Sequence, residues 1–126
     1  MAEVLAGAPD EVVTNAIVRM ISLTAFGHTG ELALITLDNG ADHNRPNTFG
    51  PASLNSLSAA IDQAEKSDAV AIAVTGKPFI FAAGADLSGV GSVSDKSVAT
   101  AFGDLGHEVF LNYMRARNQP LHLLMV

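Results

Sequence analysis

Thr75-Gly76-Lys77-Pro78-Phe79-Ile80-Phe81-Ala82-Ala83-Gly84-Ala85-Asp86-Leu87 is the stretch from which the rest of the chain can be read. It continues an apolar run, Ala69 to Val74, that suits a buried strand. Gly76 and Pro78 break that strand. A second short apolar run follows and ends in a turn of small residues. A glycine flanked by alanines leaves backbone N–H groups uncovered, so a ligand can approach them closely. An exposed N–H at the end of a strand is the kind of donor an oxyanion hole needs. The same residues also suit an ordinary turn, and the stretch by itself leaves both readings open.

Upstream of this stretch, Pro51 to Lys66 reads as an amphipathic helix. Pro51 suits its first turn, and Leu54, Leu57, Ile61 and Ala64 recur at helical spacing. The polar stretch before it, Asp38 to Pro51, is punctuated by Pro46, Gly50 and Pro51 and must be a loop. A loop of that length inside a compact domain is often functional. Further back, Ile17 to Phe26 and Glu31 to Leu37 are apolar runs around Gly27-His28-Thr29-Gly30, the pattern of a β-hairpin. The second run is apolar on both faces, which suits burial between layers. Residues 1–16 lack clear periodicity and read as an N-terminal arm. Strand, helix, strand over this span makes a βαβ-type unit with a right-handed crossover.

Downstream, Leu87 to Ser94 is rich in Gly and Ser. Asp95 to about Arg117 reads as a second amphipathic helix, with Val98, Phe102, Leu105 and Val109 on one stripe. Gly103 and Gly106 weaken it by about 1 kcal/mol each relative to alanine. Pro120 stops it, and Leu121 to Val126 is a further strand-like run. A chain that stops inside an apolar strand, without a polar tail, reads as part of a larger fold.

The chain has 126 residues, enough for one domain with a modest core. Hydrophobic residues make up 48% and charged residues 16%, which is globular composition. Net charge is −6 with no cluster of Lys or Arg, which argues against nucleic acid and anionic membrane surfaces as partners. With no cysteine, disulfides and thiolate metal sites are excluded. No run approaches the roughly 18 apolar residues of a membrane span, and the acidic N-terminus lacks the basic start of a signal peptide. The expectation is a soluble, cytoplasmic protein.

Phe81-Ala82-Ala83-Gly84-Ala85-Asp86-Leu87 resembles the first oxyanion-hole motif of the crotonase, or enoyl-CoA hydratase/isomerase, superfamily. The order of elements is similar too: hairpin, the loop Asn44-Arg45-Pro46-Asn47, amphipathic helix, strand ending in Thr75-Gly76, then the motif. The resemblance covers residues 17–126 and implies an α/β fold, the crotonase-like ββα spiral, of which this chain would be an incomplete N-terminal portion. The loop Pro46 to Pro51 looks most like the hydratase module of bacterial multifunctional fatty-acid β-oxidation proteins. The resemblance implies an acyl-CoA thioester as substrate, with no separate cofactor and no metal. It puts an oxyanion donor on the backbone N–H of Ala85. It puts coenzyme A contacts on Arg45, Asn47, Thr48, Phe49, Ala83, Gly84, Ala85, Asp86 and Leu87. Gly50-Pro51 stands where many members have Asn-Ala. The resemblance places the second oxyanion glycine and the catalytic glutamates beyond residue 126, so this chain alone is expected to be inactive. Trimers are usual in the superfamily.

The remaining polar residues have plainer expected roles. Asp86 suits a helix cap better than catalysis. Glu108, on the second helix, suits a solvated face. His28, His43, His107 and His122 have no i,i+4 metal pairing; His43 lies in the candidate coenzyme A loop. Lys77 suits solvent, although it or Arg45 could pair with phosphates. Phe79 and Phe81 suit core filling. No phosphate-loop glycine pattern is present. The rival to an enzyme is a small non-catalytic α/β domain that binds coenzyme A or a protein.

Overall fold

The structure, a computed structural model, describes residues 11–42, 44–78, 80–85, 96–116 and 123–125. Among the described residues, the strands and α-helices follow in the order β1 (Asn15–Ser22), β2 (Glu31–Asp38), α1 (Pro51–Lys66), β3 (Ala71–Thr75), α2 (Lys96–Arg115) and β4 (Leu123–Met125). The four strands form one sheet in the order β1-β2-β3-β4. β1 and β2 are the expected antiparallel hairpin, in register from Asn15↔Asp38 to Ser22↔Glu31. β3 pairs parallel to β2 and β4 parallel to β3, so α1 connects two adjacent parallel strands.

The first strand is shorter at its end than its sequence suggested. It stops at Ser22, and Thr24–Phe26 forms a turn of 3-10 helix. The Ser22 hydroxyl accepts the Thr24 N–H at 3.3 Å, which competes with continued strand pairing. The Leu23 N–H then donates to the Gly30 carbonyl and closes the loop at 3.0 Å.

α1 has the bounds its periodicity predicts. Leu54, Leu57, Ile61 and Ala64 are buried, together with Ser53 and Ala60. They pack on Ala33, Ile35 and Leu37 of β2 and Ile72 and Val74 of β3, in one core cluster that also takes Leu105, Val109 and Tyr113 from α2. Only alternate residues of β2 reach this core; Leu32, Leu34 and Thr36 face the other side of the sheet and are half-buried. The stripe expected on α2 holds at Leu105 and Val109 but not at Val98, which is 45% exposed. Residues 96–100 are exposed throughout, so the first turn of α2 stands clear of the core, and Tyr113 extends the stripe at the other end.

The expected arm at residues 1–16 is docked where it is described. Glu11 lies over the N-terminus of α1, where its carboxylate accepts the Ala52 N–H at 3.1 Å and the Ser53 N–H at 3.0 Å. A helix leaves its first N–H groups without intrahelical partners, and a carboxylate satisfies them while matching the positive end of the helix dipole. The Glu11 side chain occupies the space a Cβ at residue 50 would need, which accounts for glycine at that cap. Thr14 is fully buried, its N–H on the Ser53 hydroxyl and its own hydroxyl on the Thr48 carbonyl, both at 2.8 Å. These partners lie 34 to 42 residues away, beyond the reach of any local pattern. Among the described residues, no helix is long and apolar enough to cross a membrane.

Candidate functional site

β3 ends at Thr75, and Gly76 lets the chain return past its own end. A Cβ at residue 76 would lie 2.6 Å from both the Ile80 carbonyl oxygen and the Phe81 Cα, so the returning backbone fits only against glycine. The Ile80 N–H donates to the Lys77 carbonyl at 3.1 Å, and the two residues form an antiparallel bridge. Phe81 and Ala82 then pack on the core, as expected for Phe81; Phe79 lies outside the described residues.

Residues 83–85 next run alongside the loop residues 47–49. The Ala83 N–H donates to the Asn47 carbonyl at 2.7 Å, and the Phe49 N–H donates to the Gly84 carbonyl at 2.8 Å. In a regular parallel ladder the Phe49 N–H would go to the Ala83 carbonyl, and the Phe49 carbonyl would accept the Ala85 N–H. Gly84, at φ 98°, inserts one extra residue, a bulge that shifts this register by one. Phe49 and Ala85 become the bridged pair. The shift turns the Ala85 N–H out of the pairing, and it has no acceptor among the described residues. Ala83, Gly84 and Ala85 are all exposed. A Cβ at residue 84 would meet nothing within 4 Å, so backbone conformation and not crowding favours glycine there. An N–H without an acceptor among the described residues, beside exposed small residues, can donate to a carbonyl oxygen or an oxyanion brought up to it.

Asn47 holds this arrangement together from inside. Its side chain is fully buried. Nδ2 donates to the Leu37 carbonyl at 2.9 Å and to the Phe81 carbonyl at 3.1 Å, and Oδ1 accepts the Asn39 N–H at 3.0 Å. Both amide protons are therefore used, and the side chain ties the end of β2 to the 81–83 turn. Phe49 is likewise internal, 9% exposed, with its ring edge-to-face on Phe110 at 5.5 Å and 87°. Thr48 is half-buried, and its carbonyl accepts from Thr14. Of the expected loop contacts, Arg45 has an exposed side chain with no acceptor among the described residues. Asp86, Leu87 and His43 lie outside the described residues. Of the four loop residues the resemblance gave as contacts, Arg45 is exposed, Thr48 half-buried, and Asn47 and Phe49 buried.

Lys77, expected in solvent, is half-buried with its ammonium engaged. Its ammonium donates to the Asn39 side-chain oxygen at 2.7 Å and to the carbonyls of Ala41, Asp42 and Arg45 at 3.1, 2.8 and 2.6 Å. Asn39 adds donations from its own amide to the Arg45 and Pro46 carbonyls. The polar loop of 38–46 is thereby gathered around one cation that comes from the other side of the site. Glu108, His28 and His107 are exposed. His107 borders a groove along α2 with Gly103, Gly106, Phe110, Leu111 and Met114.

No family model matches the sequence, and no curated protein matches it. Solved structures do. DspI from Pseudomonas aeruginosa superposes with a TM-score of 0.62 at 29% identity, over 90% of this chain and 41% of that one. A second structure of DspI gives 0.61 at 27% identity, over 93% and 38%. An enoyl-CoA hydratase from Thermoplasma volcanium GSS1 gives 0.60 at 22% identity, over 79% and 36%. The present chain thus spans about two-fifths of the length of these similar proteins.

Proposed function

This chain folds as part of a crotonase-type domain, and on that premise we propose that it binds a coenzyme A thioester and supplies one donor of an oxyanion hole. The observation that carries the reading is the Ala85 N–H, turned out of the 47–49 pairing by the bulge at Gly84. Addition to a 2-enoyl thioester, or proton removal beside the thioester carbonyl, moves negative charge onto the carbonyl oxygen. A fixed N–H aimed at that oxygen stabilises the charge, and one such donor contributes about 3–4 kcal/mol in comparable sites. The exposed Ala83 and Gly84 leave room for the ligand backbone, and the exposed Arg45 guanidinium suits a phosphate of coenzyme A.

Hydration also needs a group to deliver and remove a proton. In this reading that group and the second donor are the ones the resemblance places beyond residue 126, so the 126-residue chain alone binds without turning over. The reaction class is that of an enoyl-CoA hydratase or isomerase. The setting proposed is fatty-acid β-oxidation in the cytoplasm, in a bacterial multifunctional enzyme or a related trimer, with the thioester as the only small molecule required and no metal.

Isothermal titration of the chain with crotonyl-CoA and with coenzyme A tests this. Binding of both, tighter for the thioester, is the expected result, with no hydration at 263 nm (the enoyl thioester band). Failure to bind either compound overturns the reading. Measurable hydration by the chain alone overturns the division of labour it describes.

A further inference from the structure

We propose that Lys77 is a positioning residue for the thioester site, acting through the loop of residues 39–45 and not by touching the ligand. The inference rests on the coenzyme A reading of that site. Four oxygen acceptors surround one ammonium with three protons, all between 2.6 and 3.1 Å. All four are neutral, three of them backbone carbonyls. An ammonium with this environment fixes backbone and does not simply pair with one side chain. The acceptors lie at residues 39, 41, 42 and 45, so the single charge ties both ends of the loop together, with Arg45 exposed beside it.

The connection to the donor is short. Lys77 sits at the start of the 77–80 turn, one residue after Gly76, whose close approach to Ile80 and Phe81 fixes where the 81–85 segment begins. Asn39, held by Lys77, gives its own N–H to Asn47 Oδ1, and Asn47 in turn accepts the Ala83 N–H on its carbonyl. A continuous set of hydrogen bonds therefore runs from the Lys77 ammonium through Asn39 and Asn47 to the segment that carries the Ala85 N–H.

Charge adds a second consequence. The loop carries the carboxylates of Asp38 and Asp42, each accepting a backbone N–H two residues on, at 2.8 and 2.9 Å. Arg45 and Lys77 balance them. Removing the Lys77 charge leaves the loop with a net charge of −1 on a chain already at −6, which disfavours an anionic ligand.

The absence of cysteine from the chain makes a clean test available. Lys77→Met keeps the stem and removes the ammonium. Lys77→Cys, treated with 2-bromoethylamine, restores an ammonium at nearly the same reach. Coenzyme A is titrated into each 126-residue protein, and backbone amide exchange is followed over residues 39–45 and 83–85. The expected result for Lys77→Met is faster exchange in both segments and coenzyme A binding weaker by roughly tenfold. The aminoethylated Lys77→Cys protein should recover both properties, and untreated Lys77→Cys neither. Recovery requires the charge, so a general loss of fold in the variants cannot mimic it. If the unsubstituted chain binds coenzyme A and Lys77→Met binds it equally well, Lys77 does no positioning and the proposal falls. If the unsubstituted chain binds no coenzyme A, the reading of the site falls and takes this proposal with it.

Discussion

Replacing Asn47 with alanine should cost far more stability than a loop asparagine normally would. The side chain is fully buried and makes three hydrogen bonds, to the Leu37 carbonyl, the Phe81 carbonyl and the Asn39 N–H. Each is worth about 1 kcal/mol net, and their loss strands buried partners. The cavity left by the truncation adds on the order of 1 kcal/mol. The sum is about 3–4 kcal/mol. Asn44→Ala is the control: same residue type, same loop, but exposed, so its effect should stay within about 0.5 kcal/mol. Urea unfolding followed by far-UV circular dichroism measures both. If Asn47→Ala loses less than about 1 kcal/mol, no more than a surface change, the side chain is not the internal tie described here.

Gly76→Ala should lose about 1–3 kcal/mol in the same assay, because its Cβ would stand 2.6 Å from the Ile80 carbonyl and backbone cannot give way as a side chain can. Glu11→Gln should lower stability by about 0.5–1 kcal/mol at low salt and by less at high salt, since it removes a charge from the N-terminus of α1 and keeps much of the hydrogen bonding. Gly84→Ala meets no steric obstacle, so its cost should be only the left-handed backbone, about 1–2 kcal/mol; a larger effect on coenzyme A binding than on the melting temperature is expected, read by titration and by calorimetry.

The regular elements were legible because their signals are local. The period of Leu54, Leu57, Ile61 and Ala64 gave α1 with its observed bounds, and in the small-residue turn after β3 the Ala85 N–H has no acceptor among the described residues. The end of β1 was misread because one hydroxyl, that of Ser22, outweighs the apolar character of the residues after it. The site was legible only in outline. Whether Asn47, Phe49 and Lys77 face outward depends on partners 32 to 38 residues distant, or on another helix, and nothing in the loop's own sequence announces them. Glu11 shows the same limit: an acidic residue in an aperiodic stretch gives no sign that it caps a helix 41 residues later.

The account stands or falls on the Ala85 N–H. Its amide resonance, observed in alanine-labelled protein during titration with crotonyl-CoA, reports hydrogen bonding at that atom. A downfield proton shift with the thioester, absent with the S-alkyl thioether of coenzyme A that lacks the carbonyl, is the predicted result. The same response to both compounds, or none to either, would contradict it.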